Sequence, residues 1–292
     1  MGAALINRGL GPIAGATIST PDLDYSVAAY AQFLGYRGSI GTVDPDLAER
    51  LGAPGLTGAR MATLLPESGE KTFLRLIEGP GVPDYRPLTT LGWNAIEIMV
   101  QDLDRLAAKL DASPFVIIGE PRVLDFDFTD QISAMQVVGP GGEVLYLTQV
   151  KSPVPGFDLP TAKSFVGRIF VLILGTSAIE PACQYFQSAF GIAPGPHFQA
   201  RIEVLSKVFG IDPACRHTLT TLSLPDQGLI EVDAFPSLAT PRQVDPLGLL
   251  PGIAMASFWD GDLAHGAARS AGQFGSLSLI SAPIELLGPQ SP

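Results

Sequence analysis

The sequence predicts an α+β protein built from a repeated strand–helix–strands module, and three observations predict it. The stretch LGWNAIEIMVQDL, Leu91 to Leu103, alternates on a two-residue period and then passes through Asp102-Leu103-Asp104 into the helical run RLAAKLDA. The same grammar stands 80 residues earlier, where GATISTPDLDYSVAAYAQFLGY moves from a strand into a helix opened by Asp22-Leu23-Asp24, which marks an internal repeat. Sheets this apolar on alternate positions must be covered, so two modules are expected to pack their curved sheets around a shared hollow.

Taken in order, residues 13–20 form a strand that Pro21 and Asp22 end, with Asp22 capping a helix to about Leu34. The Gly-rich passage after it holds a short strand, a short helix near 45–51 and a loop. ARMATLLP and KTFLRLIEG are two strands joined by the turn ESGE. The second module repeats the plan: strand 94–100, helix 102–111, strand 115–119, an Asp- and Phe-rich loop, strand 133–138, the turn GPGG at 139–142 and strand 143–150. The proline-studded link KSPVPGFDLP then sets a domain boundary, giving a first domain over 1–150 and a second over 164–292. RIFVLILG opens a third module at an offset of 156 from the first, with a helix in IEPACQYFQSAFGI and strands near 217–224 and 228–235. A fourth, shortened module begins with GIAMASFWDGDLAHGAARSAG at an offset of 240.

Of the 292 residues, 46% are hydrophobic and 16% charged, enough apolar material for a large core. A net charge of −11 repels phosphate backbones and anionic lipid, so nucleic acid is not an expected partner. No run reaches the roughly 18 apolar residues of a membrane span. Cys183 and Cys215, without CxxC spacing, read as buried thiols of a cytoplasmic protein.

Four such modules, with TISTPDLDYSVAAYAQFLGY, NAIEIMVQDLD and the last-strand turn GPGGEVLYLTQ as the most specific pieces, resemble the vicinal oxygen chelate superfamily of glyoxalases, bleomycin-resistance proteins and extradiol dioxygenases. The resemblance implies tandem βαβββ modules paired into two half-barrel domains, and in many members a divalent metal held by His and Glu. Here the histidine positions fall on Gly15, Ala95, Val171 (or Phe170) and Met255, and the glutamate positions on Arg75, Tyr146, Glu231 and Glu285. A cation would meet a guanidinium at Arg75, so neither a metal nor another cofactor is expected. His217, opening HTLTTLSL, is the histidine placed to approach Glu231 on the neighbouring strand; the other reading is a solvated strand end.

Strand parity lists what faces the first hollow if Arg75 points inward: Phe73 beside it, Trp93, Glu97 and Met99 on the next first strand, Thr17 and Ser19 on the opening strand, and Tyr146 with Thr148. An apolar hollow with one Arg, one Glu, one Tyr and a few hydroxyls is the chemistry of a small-molecule pocket. Arg75 and Glu97 are either a structural ion pair or the anchor and base of a site in which Tyr146 is the acid. Asp125, Asp127 and Asp130 read as a solvated or lid loop whose Phe126 and Phe128 cover the pocket mouth, and GPGG as a hairpin turn. The expected function is metal-independent lyase or isomerase chemistry on a small aromatic or carboxylate-bearing metabolite. The alternatives are sequestration of a small molecule without turnover, and a metal-dependent dioxygenase or glyoxalase with displaced ligands. A homodimer is left open.

Overall fold

The structure is a computed structural model that describes residues 10–273 and 282–289. The first module comprises β1 (Ile13–Thr20), α1 (Leu23–Ala29), β2 (Arg37–Thr42), α2 (Pro45–Arg50), β3 (Arg60–Leu65) and β4 (Phe73–Glu78). The second has β5 (Gly92–Val100), α3 (Leu103–Leu110), β6 (Val116–Val123), β7 (Ile132–Val138) and β8 (Val144–Val150). The two DLD motifs do what their chemistry demands. Asp22 and Asp102 sit in extended backbone at the N-caps of α1 and α3, and their carboxylates accept from the backbone N–H of Tyr25 and Arg105 at 2.9 and 3.0 Å.

The third module has β9 (Val166–Thr176), α4 (Ile179–Phe190), β10 (Pro194–Ala200), α5 (Glu203–Phe209), β11 (His217–Leu224) and β12 (Gly228–Ala234). Of these, β10 and α5 were not legible in the Gly- and Pro-rich sequence before His217. The fourth has β13 (Ile253–Trp259), β14 (Ala268–Gln273) and β15 (Pro283–Leu287). Where the first module places a helix, residues 261–267 form only turns. The apolar-periodic stretch there is pinched between Gly261 and Gly266, too short to propagate a helix.

Two sheets result. A seven-stranded sheet runs β14-β15-β13-β1-β4-β3-β2, and an eight-stranded one runs β10-β11-β12-β9-β5-β8-β7-β6. Each is two modules joined through antiparallel pairing of their opening strands, β1 with β13 and β5 with β9. The first module therefore shares its sheet with the fourth, and the second with the third. This corrects the expectation that modules one and two enclose a common hollow. The connections 79–91 and 151–165 are of similar length, so chain length favours neither pairing.

The sheets share one continuous core that includes Ile18, Trp93, Ile96, Leu172 and Phe258. Specific bonds lock them together. Trp93 Nε1 donates to Pro283 O at 3.0 Å, the Tyr36 hydroxyl to Gly167 O at 2.6 Å, and the Tyr30 hydroxyl to Glu143 Oε1 at 2.6 Å. Arg242, buried, donates to Thr90, Trp93 and Asn94 at the entry to β5 and to Ile253 O at the entry to β13. The GPGG segment is a hairpin turn as expected, with Gly139 N donating to Glu143 O at 2.8 Å.

Candidate functional site

In every module the opening strand lies parallel to the last one, and the register sets one residue of each opposite the other. Thr17 faces Arg75, Glu97 faces Tyr146, Ile173 faces Glu231, and Ser257 faces Glu285. The opening-strand residues are spaced by the offsets of the repeat, and each lies two residues beyond the expected histidine position. Residues two apart share a face, so both sets look the same way. At Gly15 no side chain fits at all, because a Cβ there would lie 2.4 Å from Phe73 O.

The centre in the seven-stranded sheet is closed by its own charges. Arg75 Nη1 donates to Glu285 Oε2 at 3.0 Å and to Thr17 Oγ1 at 3.2 Å; Arg50 Nε donates to Glu285 Oε1 at 2.7 Å and Ser257 Oγ to Oε2 at 2.7 Å. The Arg75 guanidinium also lies 4.8 Å from the centroid of the Phe73 ring. Burial pushes the Glu285 carboxyl upward, but Arg75, Ser257 and Arg50 outweigh it and hold the group below the usual carboxylate range.

The centre in the eight-stranded sheet is open. A cavity of about 90 Å³ is walled by aromatic and aliphatic groups, among them Phe126, Phe128, Phe157, Phe170 and Phe198, with Glu97, Gln136, Tyr146, Thr148, Thr221 and Glu231 among its polar groups and Arg122, Asp125, Arg201 and Glu203 charged. The phenylalanines come from four places in the chain: the β6–β7 loop, the link after β8, β9 and β10. Phe128 is the hub, with ring centroids 5.1 Å from Phe126, 5.5 Å from Phe157 and 5.2 Å from Phe198. At the rim Arg122 pairs with Glu203, and Asp125 with Arg201 and Arg216. The Asp- and Phe-rich loop thus lies at the mouth, as its composition suggested.

Thr148 Oγ1 donates to Glu97 Oε1, and Asp233, next but one to Glu231 on β12, is within hydrogen-bonding reach of it. Asp233 is 2% exposed and its Oδ1 has no hydrogen-bond partner among the described residues. Among the described residues none of these three carboxyls forms an ion pair. Withdrawal from water pushes Glu97 up to about 8, with repulsion from Glu231 adding and the Thr148 hydroxyl opposing. Burial likewise raises Asp233 to about 7, against the bond from Glu231 and with repulsion from Glu97; Glu231 is driven well above the carboxylate range by burial and by Asp233. Burial, then the same three acids, raises the Tyr146 phenol. The cluster holds protons near neutral pH and titrates as a unit.

Of the residues expected in one hollow, the structure brings Glu97, Tyr146 and Thr148 together and sends the others elsewhere. Arg75, Thr17 and Phe73 belong to the seven-stranded centre, and Ser19 is buried on the same β1. Arg75 and Glu97 therefore do not form an ion pair. Trp93 is committed to Pro283, and Met99 is packed into the core beyond the cavity. His217 is buried, not solvated, and its Nε2 bonds Ser206 Oγ at 2.9 Å, while Glu231 lies opposite Thr221. Sequence reasoning missed Asp233, Phe157 and Phe198, and assigned Glu231 to a different site. The repeat offsets already placed Glu97 and Glu231 at comparable positions, and module pairing was the step that misplaced them.

The divalent ion implied by the resemblance does not fit these donors. No imidazole reaches either centre, the seven-stranded one holds a guanidinium, and no group of three or more His, Cys, Asp or Glu among the described residues gathers in a metal-binding geometry. No helix of the described residues is long and apolar enough to cross a membrane.

No family model and no curated protein matches the chain. Solved structures do. Glyoxalase I from Zea mays superposes with a TM-score of 0.59 at 14% identity, covering 95% of this chain and 92% of that one. A chain of Bacillus subtilis subsp. subtilis strain 168, provisionally described as a dioxygenase, gives 0.60 at 10% identity over 97% and 87% of the two chains.

Proposed function

Taking as premise that this chain has the glyoxalase-like fold of the vicinal oxygen chelate superfamily, we propose that the cavity of the eight-stranded sheet binds a small aromatic molecule and moves a proton on it. Glu97 is the proton acceptor, Glu231 with Asp233 stores and returns the proton, and Tyr146 donates to the oxygen or nitrogen where charge develops. The observation that carries the reading is a cluster of carboxyls held near neutrality of charge at the polar end of an aromatic-walled cavity, whose two lining arginines, Arg122 and Arg201, are paired with Glu203 and Asp125 rather than with the cluster. A base works best when its pKa lies near the working pH, and Glu97 meets that condition.

The aromatic walls also support sequestration without turnover, and one measurement separates the two readings. Three one-ring carbon acids, phenylacetone, phenylpyruvate and phenacyltrimethylammonium, are incubated with the protein in D₂O and followed by NMR for exchange of the α-hydrogens. Proton transfer predicts that at least one exchanges faster than in buffer, and that Glu97→Gln lowers the enzymatic rate by about 10²–10⁴. Binding without exchange for all three leaves sequestration as the function.

A further inference from the structure

The two centres occupy equivalent register positions, yet only one has its counter-charge built in. Opposite Ser257, Glu285 receives Arg75 and Arg50. Opposite Ile173, Glu231 receives neither, because the last strand of its partner module carries Tyr146 where the first module carries Arg75. The nearest cations are spent elsewhere: Arg122 donates to Glu203 and to Arg201 O, and Arg201 is paired with Asp125. Asp233 adds a third acid behind Glu231, with a buried oxygen that nothing among the described residues satisfies. A buried acid cluster without an internal cation is costly to ionise, and an incoming cation relieves that cost.

The walls favour the same occupant. Phe126, Phe128, Phe157 and Phe198 form a connected group at the mouth with centroid separations of 5.1 to 6.1 Å, an aromatic lining suited to the uncharged body of such a ligand. We propose that the ligand is an organic cation with an apolar or aromatic body, its charge seated on Glu97 and Glu231 and its body among these phenylalanines. A cavity of about 90 Å³ limits the enclosed part to about one ring, with anything longer emerging between the loop and β10. The carboxylate-bearing ligand expected from the sequence required Arg75 in this cavity, and Arg75 lies in the other sheet. The inference rests on the reading of this cavity as the ligand site but not on any turnover there.

The groups that face the charge are Glu97 from β5, Tyr146 from β8, Glu231 from β12, Arg122 from β6 and Glu203 from α5, with Asp233 behind Glu231 and the Asp125–Arg201 pair outside them. The seated cation favours the ionised acids, so its binding releases protons and strengthens as pH rises. Benzyltrimethylammonium, whose charge cannot titrate, is compared by calorimetry with its neutral isostere neopentylbenzene and with phenylacetate, at pH 6 and 8 and in two buffers of different ionisation enthalpy. The cation is expected to bind at least about tenfold tighter than the isostere at pH 8, with proton release and weaker binding at pH 6. Glu231→Gln, and separately Glu97→Gln, should erase most of that preference while leaving affinity for the isostere; circular dichroism checks that each variant is folded. Equal affinity for the isostere, or tighter binding of phenylacetate, overturns the cation assignment while leaving the cavity as a ligand site. Failure of all three to bind overturns both.

Discussion

The seven- and eight-stranded sheets place a glutamate at the same step of the repeat and treat it in opposite ways. Glu285 is 0% exposed and accepts from two guanidiniums and a hydroxyl, so its charge is fixed and its surroundings are full. Glu231 shares a cavity with Glu97 and a hydrogen-bonding contact with Asp233, so its proton is loosely decided and space is left for a guest. Arginine against tyrosine in the last strand of the partner module, with Arg50 and Ser257 completing only the first site, separates a centre filled by its own charges from one left open. Closed ion networks stabilise by geometry, whereas an unbalanced one is held in place by the rest of the fold and is available for chemistry.

The largest expected effect breaks the closed centre. Arg75→Met removes one of two guanidiniums from a fully buried carboxylate and is expected to cost about 3–5 kcal/mol in urea unfolding at pH 7. The folded Glu285 lies below its unfolded value, so its contribution is present above about pH 4.5 and lost as pH falls through the folded value; the deficit of the variant should narrow in acid. If Arg75→Met unfolds like the parent, the network is not what holds this sheet.

The open centre carries the reverse sign. Glu97, Glu231 and Asp233 have folded values above their unfolded ones, so the native state keeps protons that the unfolded chain has already released. Stability is then expected to fall as pH rises from about 4.5 to 8. Glu231→Gln should flatten that slope, read from thermal midpoints across the range. A slope unchanged by the substitution would place the protons elsewhere, with Glu143, raised to about 7 by burial, the first group to examine.

The smallest effect sharpens the boundary of the open site. Asp125→Asn removes the carboxylate that Arg201 and Arg216 share at the rim, and exposed pairs of this kind are worth less than about 1 kcal/mol. Global stability should barely change, while amide exchange across residues 124–131 accelerates as the loop loosens from β10. Equal protection in parent and variant would mean that the phenylalanine contacts alone hold the mouth.

Much of the local structure was legible because it follows from short-range chemistry. The strand over 13–20 was read to the residue, and the two DLD helix starts follow from an aspartate that must satisfy a free N–H. The repeat offsets were equally plain, since they need only sequence similarity. Glu97, Tyr146 and Thr148 were placed on one face by strand parity and do meet in one cavity. Phe157 and Phe198 were not foreseen, because a link and an edge strand reach that cavity only through the folded arrangement.

By itself the sequence determined the module, its number and which residues of one strand share a face, because alternation, capping and turns act over a few residues. Which modules share a sheet was decided only by the tertiary structure. Opening strands buried along their whole length had to pair with one another, and two connections of similar length let the chain join first to fourth and second to third as readily as neighbours. That choice carried Arg75 away from Glu97 and brought Glu231 to it, turning an expected anion pocket into an acid-lined one.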